Sequence, residues 1–153
     1  MNRSGYLTRR LDHIDRSIIA AFCEDGRRTI KQVADLIGMS SPSIKARIDK
    51  LKDAGAIRGY TALVDPKAFG FNVAANVRIH AMPGEVKKVV QLLRDTPEIV
   101  EADQVTGKDC FQVKVVVRNA EELHAVAARF EPYASVDTAI ILSNIVARSL
   151  PKL

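Results

Sequence analysis

Two short amphipathic helices joined by a glycine-containing turn are predicted between residues 29 and 55, and this pair limits the possible folds more than any other feature. Thr29 and Ser40 are favourable N-caps, and Gly38 and Gly55 suit the left-handed position after each helix. Apolar residues recur at helical spacing on one face of each helix, and they are Ile30, Val33, Ala34, Ile37, Ile44, Ile48 and Leu51. The sequence therefore predicts a helix-turn-helix.

The second helix of the pair, predicted from Ser40 to Ala54, carries a polar and basic face. A helix-turn-helix places such a face in the major groove of DNA. There Arg and Lys can donate two hydrogen bonds to guanine, and Ser can bond to several base edges. We expect DNA contacts from Ser40, Ser41, Ser43, Lys45, Arg47 and Lys50.

Two alternatives remain open for this face. Arg47 could instead pair with a nearby acid such as Asp49 or Asp53 and hold the helix in place. An exposed basic helix face, taken alone, is more often an ordinary solvated surface. The prediction of DNA contacts therefore depends on the helix pair and on where the charge is concentrated.

The basic excess lies in the half of the chain that contains the helix pair. The 153 residues carry a formal net charge of +5, with an isoelectric point near 9.4. Residues 1–65 contain 12 Lys and Arg against 8 Asp and Glu, a net of +4, whereas residues 66–153 contain 11 against 10, a net of +1. This distribution fits an electrostatic footprint on the phosphates of double-stranded DNA.

Composition also argues against several other classes of protein. No apolar run approaches the roughly 20 residues of a membrane span, and the first ten residues lack the apolar region of a signal peptide. A cytoplasmic location without contact to a membrane is the expectation. Cys23 and Cys110 are isolated and the three His residues are scattered, so we expect no disulfide, no metal, no cofactor and no catalytic residue.

A further helix and a wing are predicted around the helix pair. Residues 11–22 carry one apolar helical stripe, with Asp12 as a plausible N-cap. Residues 57–64 are rich in β-branched and aromatic side chains, which predicts a strand. A strand directly after a recognition helix has the position of a wing, from which Arg58 could contact backbone phosphate.

The second half of the chain predicts an α+β fold of the ferredoxin-like type, in the order β-α-β-β-α-β. The predicted strands cover residues 73–81, 99–106, 110–118 and 136–147, and helices begin near Pro83 and Glu121. Two helices cover only one side of a four-stranded sheet, and the last predicted strand is apolar on both faces. We therefore expect an exposed apolar sheet face that pairs with a second copy, giving a homodimer at least.

This arrangement resembles the Lrp/AsnC family, the leucine-responsive or feast/famine regulators, over about residues 11 to 150. The matching stretches, specific only in combination, are 11–15, 25–28, 33–40, 47–51 and 55–62. The resemblance implies control of transcription and dimers that assemble further, often into octamers. It also implies a small-molecule site in the C-terminal domain, usually for an amino acid.

Four segments are predicted along the chain. Residues 1–10 form a flexible tail, and residues 11–65 form a winged helix-turn-helix DNA-binding domain. Residues 66–71 form a linker, and residues 72–153 form a ferredoxin-like domain for effector binding and oligomerisation.

The effector site is expected near the turn between the second and third strands of the ferredoxin-like domain. The family signature runs Gly-x-x-Asp, whereas here Asp109 is two residues after Gly107 and Cys110 takes the third position. The candidate ligand-binding residues are Gln104, Thr106, Gly107, Asp109 and Cys110. The alternative is that this segment is only a polar hairpin turn, because such residues are the usual turn formers.

Two other functions share this architecture. One is a nucleoid-type protein that wraps DNA with little sequence preference. The other is an enzyme, a tetrapyrrole-precursor decarboxylase, which would need a cluster of His and Arg in a cleft. The C-terminal half offers no recognisable pairing among its candidates, which are Arg78, His80, Arg94, Arg118, His124, Arg129 and Arg148.

Overall fold

The structure of this chain is a computed structural model that describes residues 11–107 and 110–146. The chain divides into two compact units, and among described residues the first, the helical unit, ends at Leu63 and the second, the sheet unit, begins at Val64. Over these same residues, no helix is both long enough and apolar enough to cross a membrane.

Three helices form the helical unit, and they are α1 (His13–Glu24), α2 (Ile30–Ile37) and α3 (Ser41–Asp53). The predicted N-caps are confirmed: Asp12 and Thr29 each form a capping box, and the Ser40 side chain accepts a hydrogen bond from the Ser43 amide. Gly38 ends α2 with a φ of 76°, in the left-handed region that favours glycine. The helix-turn-helix prediction is therefore confirmed in its local structure.

The core of the helical unit lies where the apolar faces of its helices meet. Ile18 of α1, Val33 of α2 and Ile44 of α3 are fully buried. The other buried core residues are Ala21, Ala34, Ile48 and Leu51, while Ile30 and Ile37 lie partly buried at its margin. This small core leaves the opposite face of α3 outside.

The predicted wing strand is wrong. Residues 58–65 form no strand and are exposed, although Ile57 is half-buried against the helical core and donates its amide to the Leu51 carbonyl at 3.1 Å. A strand needs a hydrogen-bonding neighbour, and the described part of the helical unit contains no other strand. The β-branched and aromatic composition favoured a strand, but this segment has no strand beside it to pair with among the described residues of the helical unit.

The predicted linker contains one turn of 3-10 helix, Pro66–Phe69. The Asp65 side chain accepts a hydrogen bond from the Lys67 amide at 3.0 Å and so caps this turn. The turn ends at Gly70, whose φ of 83° is left-handed.

The sheet unit confirms the α+β prediction of a β-α-β-β-α-β order. Its elements are β1 (Val73–Ala81), α4 (Val86–Asp95), β2 (Ile99–Gln104), β3 (Phe111–Val117), α5 (Ala120–Ala128) and β4 (Ala134–Ile140). The sheet has the order β2-β3-β1-β4, and its neighbouring strands are antiparallel. One face packs on α4 and α5, where Val89, Leu123 and Phe130 join the side chains from β1 and β3.

The prediction of an exposed apolar sheet face is wrong. On the side away from the helices, Arg78 of β1 lies between Gln112 of β3 and Asp137 of β4. Asn76 and His80 share that face, because side chains alternate along a strand. The uncovered face of the sheet is therefore polar and charged.

The exposed apolar surface lies instead after the sheet. The last strand ends at Ile140 and does not continue to residue 147, which itself lies outside the described residues. The strand stops there because β1, the strand it pairs with, begins at Val73. The last hydrogen bond between them joins the Ile141 amide to the Ala74 carbonyl at 2.8 Å. Beyond it, Leu142, Ile145 and Val146 are exposed.

Candidate nucleic-acid interface and effector hairpin

Helix α3 turns a continuous face to solvent because Ile44, Ile48 and Leu51 anchor its other side. Ser43, Lys45 and Lys50 from the predicted set are exposed, whereas Ser41 is half-buried. Ser40 is used as the cap, and its hydroxyl lies 2.8 Å from that of Ser43. The structure therefore leaves both lysines free of the helical core, which is what a groove-reading helix requires.

Lys45 and Lys50 are on opposite flanks of the exposed face. At about 100° per residue, five positions separate them by about 140° around the helix. Pro42 and Ala46 are exposed between them, at the centre of the face. The sequence prediction missed these two residues because it selected polar side chains, yet small apolar groups can contact the methyl group of thymine. Their positions opposite Ile44 and Ile48 on the helix could have revealed them.

Arg47 is bound to α1. Its Nη1 atom donates to Asp12 Oδ2 at 2.7 Å and to Asp15 Oδ1 at 2.8 Å. The Asp15 side chain is buried, and that of Arg47 is about one-quarter exposed. The predicted partners Asp49 and Asp53 were wrong, because neighbours along one helix were considered and carboxylates on another helix were not.

This ion pair contributes to shifts in the pKa values of Asp12 and Arg47. The Asp15 amide, followed by the Arg47 guanidinium, holds the pKa of Asp12 below its usual value. The two carboxylates raise the pKa of Arg47, Asp12 contributing first. The Arg47 charge is thus compensated within the unit, and α3 is joined at its middle to the beginning of α1.

Arg58 is exposed in the irregular segment that follows α3. The segment is attached two residues later, where the Tyr60 ring lies 5.1 Å from that of Phe22 in an edge contact and 5.4 Å from Lys52 Nζ. Partial burial raises the pKa of Tyr60. Arg58 therefore lies on a short segment that is held at both ends, by Ile57 and by Tyr60.

The hairpin between β2 and β3 contains the predicted effector residues. Two of them, Gln104 and Cys110, lie on opposite faces of the sheet. Gln104 is paired with Phe111 and shares its helix-covered face. Cys110 is on the open face, where its Sγ atom lies 3.8 Å from His80 Nδ1. Thr106 and Gly107 are exposed in the turn, and Asp109 lies outside the described residues.

Three of the arginines considered for a decarboxylase are paired with carboxylates, and Arg78 lies 3.9 Å from Asp137. Arg118 pairs with Glu122 and Arg129 with Glu98, at the surface. Within residues 11–107 and 110–146, no group of three or more His, Cys, Asp or Glu side chains could hold a metal ion. Arg148 lies outside these residues.

A helix-turn-helix unit followed by a β-α-β-β-α-β unit defines a class of two-unit DNA-binding proteins, and comparison with known proteins agrees with it. The AsnC-type helix-turn-helix domain matches residues 11–52, and the Lrp/AsnC ligand binding domain matches residues 74–151. The HTH-type transcriptional regulator FL11 of Pyrococcus horikoshii is 34% identical over 114 residues, which are 74% of this chain and 76% of FL11. This chain belongs to the Lrp/AsnC family of helix-turn-helix transcriptional regulators.

Solved structures agree with this assignment. LrpC of B. subtilis superposes with a TM-score of 0.86 at 26% identity, over 92% of this chain and all of LrpC. The feast or famine regulatory protein Rv3291c of M. tuberculosis, in complex with L-methionine, superposes with a TM-score of 0.85 at 26% identity. That likeness covers 93% of this chain and 100% of Rv3291c. The resemblance inferred from the sequence is confirmed.

Proposed function

We propose that this regulator reads specific DNA with the exposed face of α3, and that an amino acid modulates its DNA binding or assembly. The observation that carries the first part is the orientation of α3. Its apolar side is buried while Lys45 and Lys50 extend from the two flanks of the opposite side. In the major groove, such flanks approach the phosphates or guanine edges on both sides.

The residues of this surface take different roles in the proposal. Ser43, Pro42 and Ala46 face the bases near the beginning of the helix, and Lys45 and Lys50 contact bases or phosphates. Ser40 and Ser41 lie at the N-terminal end that enters the groove first, and Arg58 contacts backbone phosphate. Arg47 positions α3 on α1 through Asp12 and Asp15, and does not donate to DNA.

Salt dependence of binding separates these roles. Each phosphate contact changes the slope of log affinity against log salt by about 0.9. Lys45→Ala with Lys50→Ala should therefore weaken binding and reduce the slope by up to about 2. Arg47→Ala should weaken specific binding while the slope stays at the wild-type value, because its charge is compensated internally.

The measurement is a fluorescence anisotropy titration on a 30-base-pair duplex selected from a random library, at several concentrations of potassium chloride. Lys87→Ala with Arg94→Ala, on the exposed side of α4, is the matched control for charge. Wild-type affinity and slope in the Lys45/Lys50 variant would show that another surface binds DNA.

The proposed assembly is a homodimer that forms a higher oligomer such as an octamer. It is supported by the exposed Leu142, Ile145 and Val146, and by β2 and β4, whose outer edges have no neighbouring strand in the described sheet. Two copies of α3 in a dimer would read half-sites about one helical turn apart.

Sedimentation velocity tests this assembly. Leu142→Ser with Ile145→Ser should shift the wild-type oligomer toward smaller species, because two exposed apolar contacts are lost. Leu36→Ser, an exposed apolar residue of the helical unit, is the control and should leave the distribution unchanged. A wild-type protein that sediments as a monomer would contradict the proposal.

The proposed effector is an amino acid bound near the β2–β3 hairpin. Its support is the match of the ligand binding domain, which includes this hairpin, and the relative Rv3291c in complex with L-methionine. The candidate contacts remain Gln104, Thr106, Gly107, Asp109 and Cys110. An effector acts only through different affinities for two states of the assembly or of its DNA complex.

Calorimetry against the twenty amino acids, beginning with methionine, tests the effector. An amino acid that binds should lose affinity with Asp109→Asn, and Glu131→Gln, an exposed carboxylate of the same unit, should be without effect. Absence of heat with every amino acid would contradict the proposal. In that case, a low ratio of specific to non-specific DNA affinity would identify a nucleoid-type wrapping protein.

A further inference from the structure

An open cleft of about 350 Å³ lies in the helical unit, beside the flank of α3 that carries Lys45. Its walls come from the end of α1, the beginning of α2, one side of α3 and the segment that follows α3. The charged and aromatic side chains that line it are Phe22, Arg28, Lys45, Asp49, Lys52 and Tyr60. Of these, the proposed function uses only Lys45, and the other groups of the cleft are left without a role.

Lys45 and Lys52 lie on the same side of α3. Seven positions turn the helix by about 700°, so the two residues are within about 20° of each other around the axis and about 10 Å apart along it. Within residues 11–107 and 110–146, neither lysine forms an ion pair with a carboxylate. The cleft therefore presents two uncompensated ammonium groups in line, next to the exposed face of α3.

The Tyr60 ring holds Lys52 at the wall of the cleft. Lys52 Nζ lies 5.4 Å from the centre of this ring, within the range of a cation–π contact. The ring in turn packs edge-on against Phe22 of α1, with 5.1 Å between the ring centres. A lysine held in this way loses less conformational freedom on binding an anion than a freely rotating one.

The other two charged residues of the cleft differ in their availability. Arg28 is already engaged, since it donates to the Glu24 carboxylate at 2.6 Å and to the Ala21 carbonyl at 2.8 Å. Asp49 is exposed and supplies the carboxylate among the described lining residues. Two lysines against one carboxylate leave the cleft positive, which favours an anion as its ligand.

We infer that this cleft binds a phosphate of the DNA backbone beside the major groove, with Lys52 as a donor that the sequence prediction missed. This inference rests on the proposed function of α3. In a helix-turn-helix the first helix of the pair crosses the DNA backbone while the second enters the groove, and the cleft lies between α2 and α3. A DNA strand carries one phosphate per roughly 3.4 Å of axis, so Lys45 and Lys52 can contact different phosphates of one strand.

The main test is Lys52→Gln in the full-length chain, with Lys87→Gln, exposed on α4 of the sheet unit, as the matched control. Binding to the selected 30-base-pair duplex and to a random-sequence duplex is measured by fluorescence anisotropy from 50 to 300 mM potassium chloride. Ethylation interference on the selected duplex then maps the phosphates that each variant requires. This map distinguishes a backbone phosphate from a free phosphate compound in the cleft, because only the former belongs to the duplex.

The slope of log affinity against log salt should fall by about 0.9 in Lys52→Gln, on both duplexes, because one phosphate contact is lost. Ethylation of one phosphate in each half-site should no longer interfere, and Lys52→Arg should restore both properties because the charge is retained. A slope equal to that of Lys87→Gln, or an interference map identical to that of the wild type, would overturn the inference. Wild-type protein that binds neither duplex would instead overturn the proposed function of α3.

An effect of opposite sign is expected at Asp49. Asp49→Asn removes the carboxylate that repels a phosphate in the cleft, and should raise the affinity for both duplexes severalfold. Glu131→Gln, an exposed carboxylate of the sheet unit, should leave the affinity unchanged. An Asp49→Asn variant that binds no more tightly than Glu131→Gln would place the phosphate outside the cleft and overturn the inference.

Discussion

The helical unit and the sheet unit of this regulator use their arginines differently. In the helical unit, Arg47 is bound between two carboxylates, one of them buried, and joins α3 to α1. In the sheet unit, Arg78, Arg118 and Arg129 pair with carboxylates at the surface. Exposed pairs of this kind contribute little, about 0 to 1 kcal/mol each. Arg47, half-buried between two helices, therefore has a structural role, whereas the surface ion pairs of the sheet unit contribute little to stability.

The cores of the two units explain this difference. The sheet unit buries a continuous layer that includes Ile79, Phe111, Val115 and Phe130 beneath its helices. The helical unit buries a smaller set around Ile18, Val33 and Ile44. With less apolar area removed from water, the helical unit depends more on its caps and on its ion pair. The helical unit therefore depends on a few individual contacts for its stability, whereas the sheet unit depends on a large shared apolar core.

Truncation of the largest buried side chain of the sheet unit should have the greatest effect. Phe130→Ala leaves a cavity under the sheet and should lower the free energy of unfolding by about 3–5 kcal/mol, because Phe130 is 1% exposed. Urea denaturation followed by far-UV circular dichroism measures it. Phe69→Ala, in the exposed 3-10 turn at 68% exposure, should change stability by less than about 0.5 kcal/mol. If Phe130→Ala and Phe69→Ala lowered the stability equally, the core of the sheet unit would not be its main source of stability.

The ion pair of the helical unit should be next in size. Asp15→Asn keeps the shape but removes the buried charge that binds Arg47, and should cost on the order of 1–3 kcal/mol. The same denaturation assay applies, with Asp35→Asn, exposed on α2, as the control. Specific DNA affinity should fall as well, with an unchanged salt slope. If the Asp15 variant were as stable as the Asp35 variant, the ion pair of Arg47 would not stabilise the helical unit.

The aromatic contact after α3 should have a smaller effect. Tyr60→Leu removes the edge contact with Phe22 and the contact with Lys52, and should cost about 0.5–1.5 kcal/mol. Leu63→Ala, three residues later and 93% exposed, is the control in thermal denaturation. If both substitutions proved neutral, residues 58–63 would contribute nothing to the helical unit.

The smallest expected effect is a pH dependence that originates at Asp12. Its pKa in the folded chain is lowered from 3.8, so the charged form stabilises the fold above about pH 4, and this stabilisation is lost as the pH falls through the folded pKa. Asp12→Asn keeps a good N-cap but removes the charge. Its melting temperature should lie slightly below that of the wild type at pH 7, and the difference should shrink below pH 4. A difference that does not shrink at all as the pH is lowered below 4 would place the effect in the cap and not in the charge.

Much of the helical unit could be predicted because its signals are local. Asp12, Thr29 and Ser40 cap the helices as expected, since a cap involves residues three positions apart. The apolar faces were also correct, because a period of 3.6 residues records which side of a helix is buried. The exposed centre of α3, at Pro42 and Ala46, was readable from the same period but was passed over in favour of charged residues.

The wrong predictions share a cause. Each concerned residues whose structure depends on contacts with residues that are distant in the sequence. Arg47 pairs with carboxylates that are 32 and 35 residues away. The predicted wing has no strand beside it in the described helical unit, and β4 stops where its antiparallel neighbour β1 begins. No window of local sequence contains this information, because hydrogen-bond pairing between elements is decided when they pack.

By itself, the sequence determined the N-caps and buried faces of the first three helices, the order of strands and helices in the sheet unit and the family to which the chain belongs. It could do so because caps, periodicity and turn residues act over a few positions. Only the tertiary structure decided that Arg47 is held by α1, that the open sheet face is polar and that the exposed apolar residues follow the last strand. These outcomes depend on which groups meet in space, and hydrogen bonds, ion pairs and burial exist only between groups that meet.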